Sequence, residues 1–245
     1  SIKSTFASCK YNRVWFDILD GITLNDVVVI ESVVINKVSL VVFDWDGTVM
    51  DSIGRIVSSM QAAARNTNLL VPSDYDVKQI IGLSLDPAFN TLFPGVTTSQ
   101  RQQLFEHYRD HYMYHDTTPS PLFDGVEQVL KQLKQQNVLL AVATGKARKG
   151  LQRMFAETGL AQYFDTSRCA DEAQSKPHPD MLQQILLELD IKAEQAIMVG
   201  DTSHDMKMAQ AIAMPRVGVT HGVHGREVLS QFAPKAIIDT MPELL

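Results

Sequence analysis

Asp44 and Asp46 stand two residues apart in the run Asp44-Trp45-Asp46-Gly47-Thr48, directly after the apolar stretch 38–43. Two carboxylates at the exit of a buried strand, followed by a glycine turn, are costly for a plain structural segment. Such an exit is a place to do chemistry. The pair itself suggests which: a carboxylate nucleophile with a second carboxyl group beside it for proton transfer. If the stretch stays extended, the Trp45 side chain points away from both acids, which fits a packing role.

Three further pieces have the same character. Thr144-Gly145-Lys146 follows the apolar stretch 138–143, Lys176-Pro177-His178-Pro179 forms a stiff loop, and Gly200-Asp201-Thr202-Ser203-His204-Asp205 follows the stretch 196–199. Each has an ordinary reading by itself. Asp-Gly is a common turn pair, and Thr, Ser and Asp cap helices. All of them together, each at a strand exit or a helix mouth, are hard to explain in that way.

The elements that must position these residues alternate. Strand-like runs are expected at 38–43, 138–143, 196–199, 216–219 and 236–238, with helices at 126–135, 148–158, 180–189 and 205–212 between them. In the third of these helices Leu182, Ile185, Leu186 and Leu189 share one face. The alternation predicts an α/β fold, a doubly wound, Rossmann-like parallel sheet with both faces covered. Functional groups of such sheets collect at the carboxyl ends of the strands, so Asp44, Thr144 and Asp201 are expected to meet at one edge.

Residues 54–122 break the alternation. Ile53, Val57, Met60 and Ala64 share a helical face, and the stretch is then rich in Gln, His and Tyr until Pro119 and Pro121. This is read as an inserted α-helical cap domain over 54–122, between core segments 36–53 and 123–245, with hinges near 52–55 and 119–125. Residues 1–35 form an N-terminal extension of unassigned role. Lys3, Lys10 and Arg13 without a nearby acid make its start weakly like an organellar transit peptide, and 14–24 could form a hairpin about Asp20-Gly21. A tail outside the fold is the simpler expectation.

Composition excludes several classes. The 245 residues are 45% hydrophobic and 20% charged, as in an ordinary globular protein. A net charge of −6 with no dominant basic patch argues against a nucleic-acid partner. Cys9 and Cys169 make neither a disulfide framework nor a zinc pattern, which favours a reducing cytoplasmic location. No apolar run reaches the roughly 20 residues of a membrane span.

On the set DWDGT (44–48), TG (144–145), the Lys of KPHP (176–179) and GDTSHD (200–205), the chain resembles the haloacid dehalogenase superfamily over roughly residues 38–245. The likeness is to the small-helical-cap branch that includes phosphoglycolate phosphatases. The resemblance implies an Mg²⁺-dependent phosphatase acting on a small phosphorylated metabolite through an aspartyl-phosphate. Asp44 would be the nucleophile and Asp46 the proton carrier. Asp44, Asp201 and the main-chain carbonyl of Asp46 would hold Mg²⁺, with Asp205 orienting ligands behind them. Thr144, Gly145 and Lys176, with backbone N–H groups at the adjacent helix start, would bind the phosphoryl oxygens.

Within the resemblance Asp46 discriminates. Ion-pumping ATPases have Thr there, phosphonoacetaldehyde hydrolases have Ala, and dehalogenases lack the acid. The rival readings are a phosphomutase of the same superfamily and a non-catalytic phosphate-ligand binding protein on the same fold. Mutases place a His early in the first cap helix, where this chain reads Ile53-Gly54-Arg55-Ile56-Val57. Ile81-Gly82-Leu83-Ser84 resembles the loop that such caps lower over substrate. His107, His111 and His115 recur at a spacing that could line one helix face and bind a metal, although a solvated surface is the simpler reading. His221-Gly222-Val223-His224-Gly225 could edge the site or be a plain glycine turn. A monomer or homodimer is expected.

Overall fold

The computed structural model describes residues 38–245. The expectations for residues 1–35, the hairpin included, lie outside the described residues. Six parallel strands form one sheet: β1 (Leu40–Phe43), β2 (Leu139–Ala143), β3 (Thr166–Arg168), β4 (Ala196–Gly200), β5 (Arg216–Val219) and β6 (Ala236–Ile238). Their spatial order is β3-β2-β1-β4-β5-β6, so β1 is central and the chain winds outward from it in both directions. Phe43 pairs in register with Val142 on one side and Val199 on the other. The exits of β1, β2 and β4 are therefore neighbours.

The period-two alternation of β1 divides its side chains between two layers. Val41 and Phe43 pack with Val129, Leu130 and Leu133 of α5 (Val126–Gln135) and Leu151 of α6 (Arg148–Thr158). Leu40 and Val42 pack with Met181, Leu182 and Ile185 of α7 (Asp180–Leu189) and Met208 of α8 (Ser203–Gln210). With both faces covered, the strand reads as a continuous apolar run. Each fully buried Leu, Ile or Val is worth about 1.5–3 kcal/mol, so these two layers fix the strand ends to which the polar residues are attached. Trp45 lies in the first layer, edge-on to Phe155 at 5.4 Å, so it packs away from the acids.

Two elements differ from the sequence reading. β3 is Thr166-Ser167-Arg168; it has no apolar residue to signal a strand and is fixed by pairing with β2. The last core helix starts at Ser203 rather than 205, because Thr202 and Asp205 form a reciprocal capping box that brings Ser203 into the helix. A short α9 (Arg226–Ser230) follows β5.

Between β1 and α5 the chain is helical: α1 (Ile53–Asn66), α2 (Asp74–Ile80), α3 (Leu85–Leu92), α4 (Thr98–Asp110) and a π-helical turn at His111–His115. These helices bury a cluster of their own, including Val57, Met60, Ile80, Phe89 and Leu104. The chain leaves and rejoins the sheet layer along paired segments: Asp51 N donates to Pro121 O at 2.8 Å, and Phe123 N to Val49 O at 3.1 Å. No helix among the described residues is long and apolar enough to cross a membrane.

Candidate active site

The sheet brings Asp44, Lys176, Asp201 and Asp205 together below its carboxyl edge, all essentially buried. Lys176 Nζ lies 2.6 Å from Asp44 Oδ1 and 2.6 Å from Asp205 Oδ1. Asp44, Asp201 and Asp205 each offer an oxygen within 4.8 Å of the others, the one such group of potential metal ligands among the described residues. The three carboxylates differ in what already holds them. Asp205 is fully engaged: Lys176 takes Oδ1, and Thr202 donates to Oδ2 from N at 3.1 Å and from Oγ1 at 2.6 Å. Asp201 accepts from Thr48 Oγ1 at 2.9 Å and Val223 N at 2.8 Å. Asp44 Oδ2 is buried with no hydrogen-bond partner.

Gly47 makes this approach possible. Its φ is +85°, and an added Cβ would lie 2.3 Å from Asp201 Oδ2, so a side chain would push the Asp44 loop off the Asp201 loop. The loop after Asp44 turns tightly, with the N–H groups of Val49 and Met50 donating to Trp45 O at 2.9 and 3.0 Å.

Three buried acids against one ammonium leave an excess of negative charge. Burial pushes the Asp44 carboxyl well above the ordinary carboxylate range; Lys176 opposes this, while Asp205 and Asp201 add to it. Burial and then Asp205 push Asp201 up to about 7, although its hydrogen bonds from Val223 and Thr48 pull the other way. Burial alone would lower Lys176, but Asp205 and Asp44 outweigh it and hold the ammonium above its usual range. A like-charge pair at about 4 Å costs on the order of 4 kcal/mol at an effective dielectric of about 20. The donor set, hard carboxylate oxygens of which two belong to groups pushed up chiefly by burial and then by their acidic neighbours, fits a divalent cation such as Mg²⁺.

Asp46 stands apart from this group. Lys146 Nζ pairs with its Oδ1 at 2.8 Å, and Ser52 Oγ donates to the same oxygen. Thr144 Oγ1 accepts from Lys146 N at 3.1 Å, which ties the loop after β2 into one turn. Gly145 faces the helical insertion: an added Cβ would lie 2.6 Å from Leu83 O and 2.7 Å from Gly82 O. Ser84 N donates to Ser175 Oγ at 2.9 Å, so the loop at 81–84 rests on the loops that carry Gly145 and Lys176. Gly145→Ala is expected to wedge this loop outward. Because displacements near 1 Å can cost about 10²-fold, KM should rise roughly tenfold or more with the melting temperature nearly unchanged. Unaltered kinetics would show that the contact does not matter.

Some residues escape the sequence reading. Lys146, which reads as part of a helix start, is the ion-pair partner of Asp46. The available signal is a lysine two residues beyond one strand exit, when the neighbouring exits carry acids. Ser52 gives no signal, and Thr48 stands in the DWDGT run with no role assigned to it, although its Oγ1 donates to Asp201. The 221–225 stretch does edge the site: Val223 N reaches Asp201, and Ser203 N donates to His224 Nδ1 at 2.9 Å. One expectation needs correction and another is narrowed. The N–H of Arg148 at the start of α6 already donates to Asp171 Oδ1 at 2.8 Å, so that one N–H of the helix start is engaged within the protein. His107, His111 and His115 do not share one α-helical face, because α4 ends at Asp110 and 111–115 widens into a π-turn. His111 Nδ1 lies 3.2 Å from Ser59 Oγ, and His115 Nε2 lies 3.0 Å from Asp110.

Residues 41–219 match the family of haloacid dehalogenase-like hydrolases. A protein of Dickeya dadantii (strain 3937) named "Probable phosphatase IndB" is 34% identical over 212 residues, covering 84% of this chain and 91% of its own. Pyrophosphatase PpaX of Bacillus cereus (strain Q1) is 29% identical over 210 residues, 85% of this chain and 95% of its own. The solved structure of a haloacid dehalogenase-like protein from Bacteroides fragilis superposes with a TM-score of 0.79 at 22% identity, covering 85% of this chain and all 100% of that one. The last likeness shows the fold.

Proposed function

The chain belongs to the haloacid dehalogenase-like hydrolases and is a phosphatase of that family, and we propose that it hydrolyses a small phosphorylated metabolite through a phosphoryl group carried on Asp44. The observation that carries this reading is the asymmetry of Asp44: Lys176 holds Oδ1, while Oδ2 is buried without a partner. A carboxylate fixed by one oxygen presents the other for in-line attack on phosphorus.

In the first step Asp44 Oδ2 forms a bond to phosphorus, and the ester oxygen leaves with a proton from Asp46. In the second, Asp46 takes a proton from water as that water attacks the aspartyl-phosphate, which releases inorganic phosphate and restores Asp44. Ser52 and Lys146 both hold Asp46 Oδ1, which leaves Oδ2 for these transfers. Lys176, Thr144 and the backbone about Gly145 neutralise and orient the phosphoryl oxygens, and Asp205 fixes Lys176 from behind. Asp44, Asp201 and the main-chain carbonyl of Asp46 would hold Mg²⁺, which would supply charge neutralisation at the phosphoryl site. The insertion resting on Gly145 favours compact substrates over phosphoproteins. The two named relatives release phosphate by name, which agrees with this reading. We further propose that the protein works in the cytoplasm as a monomer or homodimer, without nucleic-acid or membrane partners.

The test is phosphate release from a chromogenic phosphate ester with Mg²⁺ or with EDTA, followed by acid quench and peptide mass analysis. We expect release only with Mg²⁺ and phosphoryl mass on the Asp44 peptide. A phosphoryl group on another residue, or equal rates in EDTA, would refute the mechanism. Isomerised sugar phosphate in place of free phosphate would mark a mutase instead.

A further inference from the structure

The turn at 221–225, after β5, joins Asp201 to the helical insertion. Its contacts with the acid are through backbone. Val223 N donates to Asp201 Oδ2 at 2.8 Å, and His224 N to Asp201 O at 3.2 Å. Gly222 permits so close an approach: an added Cβ would lie 2.2 Å from Asp201 Oδ2 and 2.3 Å from Gly47 O. Two histidines fasten the turn to the loops beside it. His224 Nδ1 accepts from Ser203 N at 2.9 Å, and His221 Nε2 lies 3.1 Å from Thr48 O, with the His221 and Phe123 ring centroids 4.1 Å apart.

The Val223 side chain leaves the core. It packs against the apolar cluster of the insertion that holds Val57, Met60, Ile80 and Phe89. The insertion meets the start of α8 as well: Gln79 O lies 3.2 Å from His204 Nε2, and a Cβ on Gly82 would lie 3.3 Å from Thr202 Oγ1. One residue therefore has its N–H on Asp201 and its methyl groups in the insertion. Valine has a single side-chain torsion, and branching at Cβ restricts it. A shift of the insertion is thus passed to the N–H rather than absorbed by the side chain. Thr48 holds the other carboxylate oxygen, Oδ1, at 2.9 Å, so without the Val223 N–H the Asp201 side chain is held from one side only.

We infer that Val223 is a positioning residue that couples the seating of the insertion to the affinity of Asp201 for Mg²⁺. With the insertion seated, the Val223 N–H holds Asp201 Oδ2 and the carboxylate is oriented for the cation. With the insertion lifted, that hydrogen bond loosens and affinity falls. Coupling between two equilibria is reciprocal, so binding of the cation holds the insertion down by the same factor. Partners that orient a metal ligand contribute about 10–100-fold to affinity. The inference rests on the proposed function for the role of Asp201 as a metal ligand.

The test needs no substrate. Mg²⁺ dissociation constants are measured by calorimetry on the full chain and on Val223→Ala and Val223→Ile, and backbone hydrogen exchange is followed with Mg²⁺ and with EDTA. Val223→Ala keeps the N–H and loses the anchor, and we expect it to weaken Mg²⁺ binding about tenfold or more. Val223→Ile, which keeps the anchor, should bind nearly as wild type does. In the wild type Mg²⁺ should slow exchange over residues 79–92 roughly fivefold or more, and in Val223→Ala by much less. If Val223→Ala loosens the insertion and leaves the Mg²⁺ constant unchanged, Val223 only packs and the inference is overturned. Exchange of the wild-type insertion that is indifferent to Mg²⁺ overturns it as well, and that measurement needs no variant to fold. A wild type that binds no Mg²⁺ would overturn the metal assignment of the proposed function too, whereas binding without coupling leaves that assignment standing.

Discussion

Asp44→Asn should lower phosphate release by roughly 10⁴-fold or more while the chain folds and melts cooperatively, because the lost oxygen is the attacking nucleophile. The same substitution should stabilise the metal-free protein. Asp44 and Asp201 are both pushed above the ordinary carboxylate range by burial and by their acidic neighbours, Asp201 to about 7. A carboxyl whose pKa rises on folding favours the folded chain below its unfolded pKa and loses that contribution as pH rises through its folded pKa. Metal-free wild type should therefore melt at progressively lower temperature between about pH 4 and about pH 7, by several degrees for a chain of this size. Removing one of the three acids relieves the repulsion, so Asp44→Asn should flatten that slope. Mg²⁺ should raise the wild-type melting temperature more at the upper end of this range. Calorimetry with EDTA and with Mg²⁺ checks all of this. A wild-type melting temperature that rises over the same interval would contradict the excess of buried negative charge.

Lys176→Met should be the most damaging substitution for stability. The ammonium lies 2.6 Å from each of two buried carboxylates and is itself shielded from solvent. Removing it leaves Asp44 and Asp205 without a counter-charge, a loss of about 3–5 kcal/mol when a buried pair is broken from one side. That corresponds to a fall of roughly 10 °C in melting temperature. Activity should disappear with it, because the same ammonium fixes Asp44 Oδ1. Adding Asp205→Asn should recover part of the stability and none of the activity. A melting temperature unchanged within about 2 °C would mean that the pair is far better solvated than its burial indicates.

The two substitutions act on the same few atoms in opposite directions. Taking away an acid removes chemistry and relieves strain; taking away the base removes chemistry and adds strain. An active site of this kind is held in place by the surrounding layers rather than by its own contacts. The apolar faces of α5 and α7 fix the strand ends and keep like charges within a few ångströms.

The carboxylate pair at 44 and 46, the apolar strands and the amphipathic helices are legible in the sequence because they depend on local order. A buried parallel strand is a continuous apolar run, a helix repeats every three or four residues, and strand exits carry the polar groups. These signals determine the α/β class, the order of most elements and the convergence of the strand exits that carry Asp44, Thr144 and Asp201. Tertiary structure alone decides the rest. β3 has no apolar residue and exists through its pairing with β2. The division of labour among the acids, with Asp205 engaged by Lys176 and Thr202 and Asp44 Oδ2 left open, depends on which side chains meet across the sheet edge. Lys146 looks like the start of a helix until the insertion places Tyr112 beside it. Periodicity records which face of an element is buried, while partners distant in sequence are set by packing, and packing gives Lys146 its place beside Asp46.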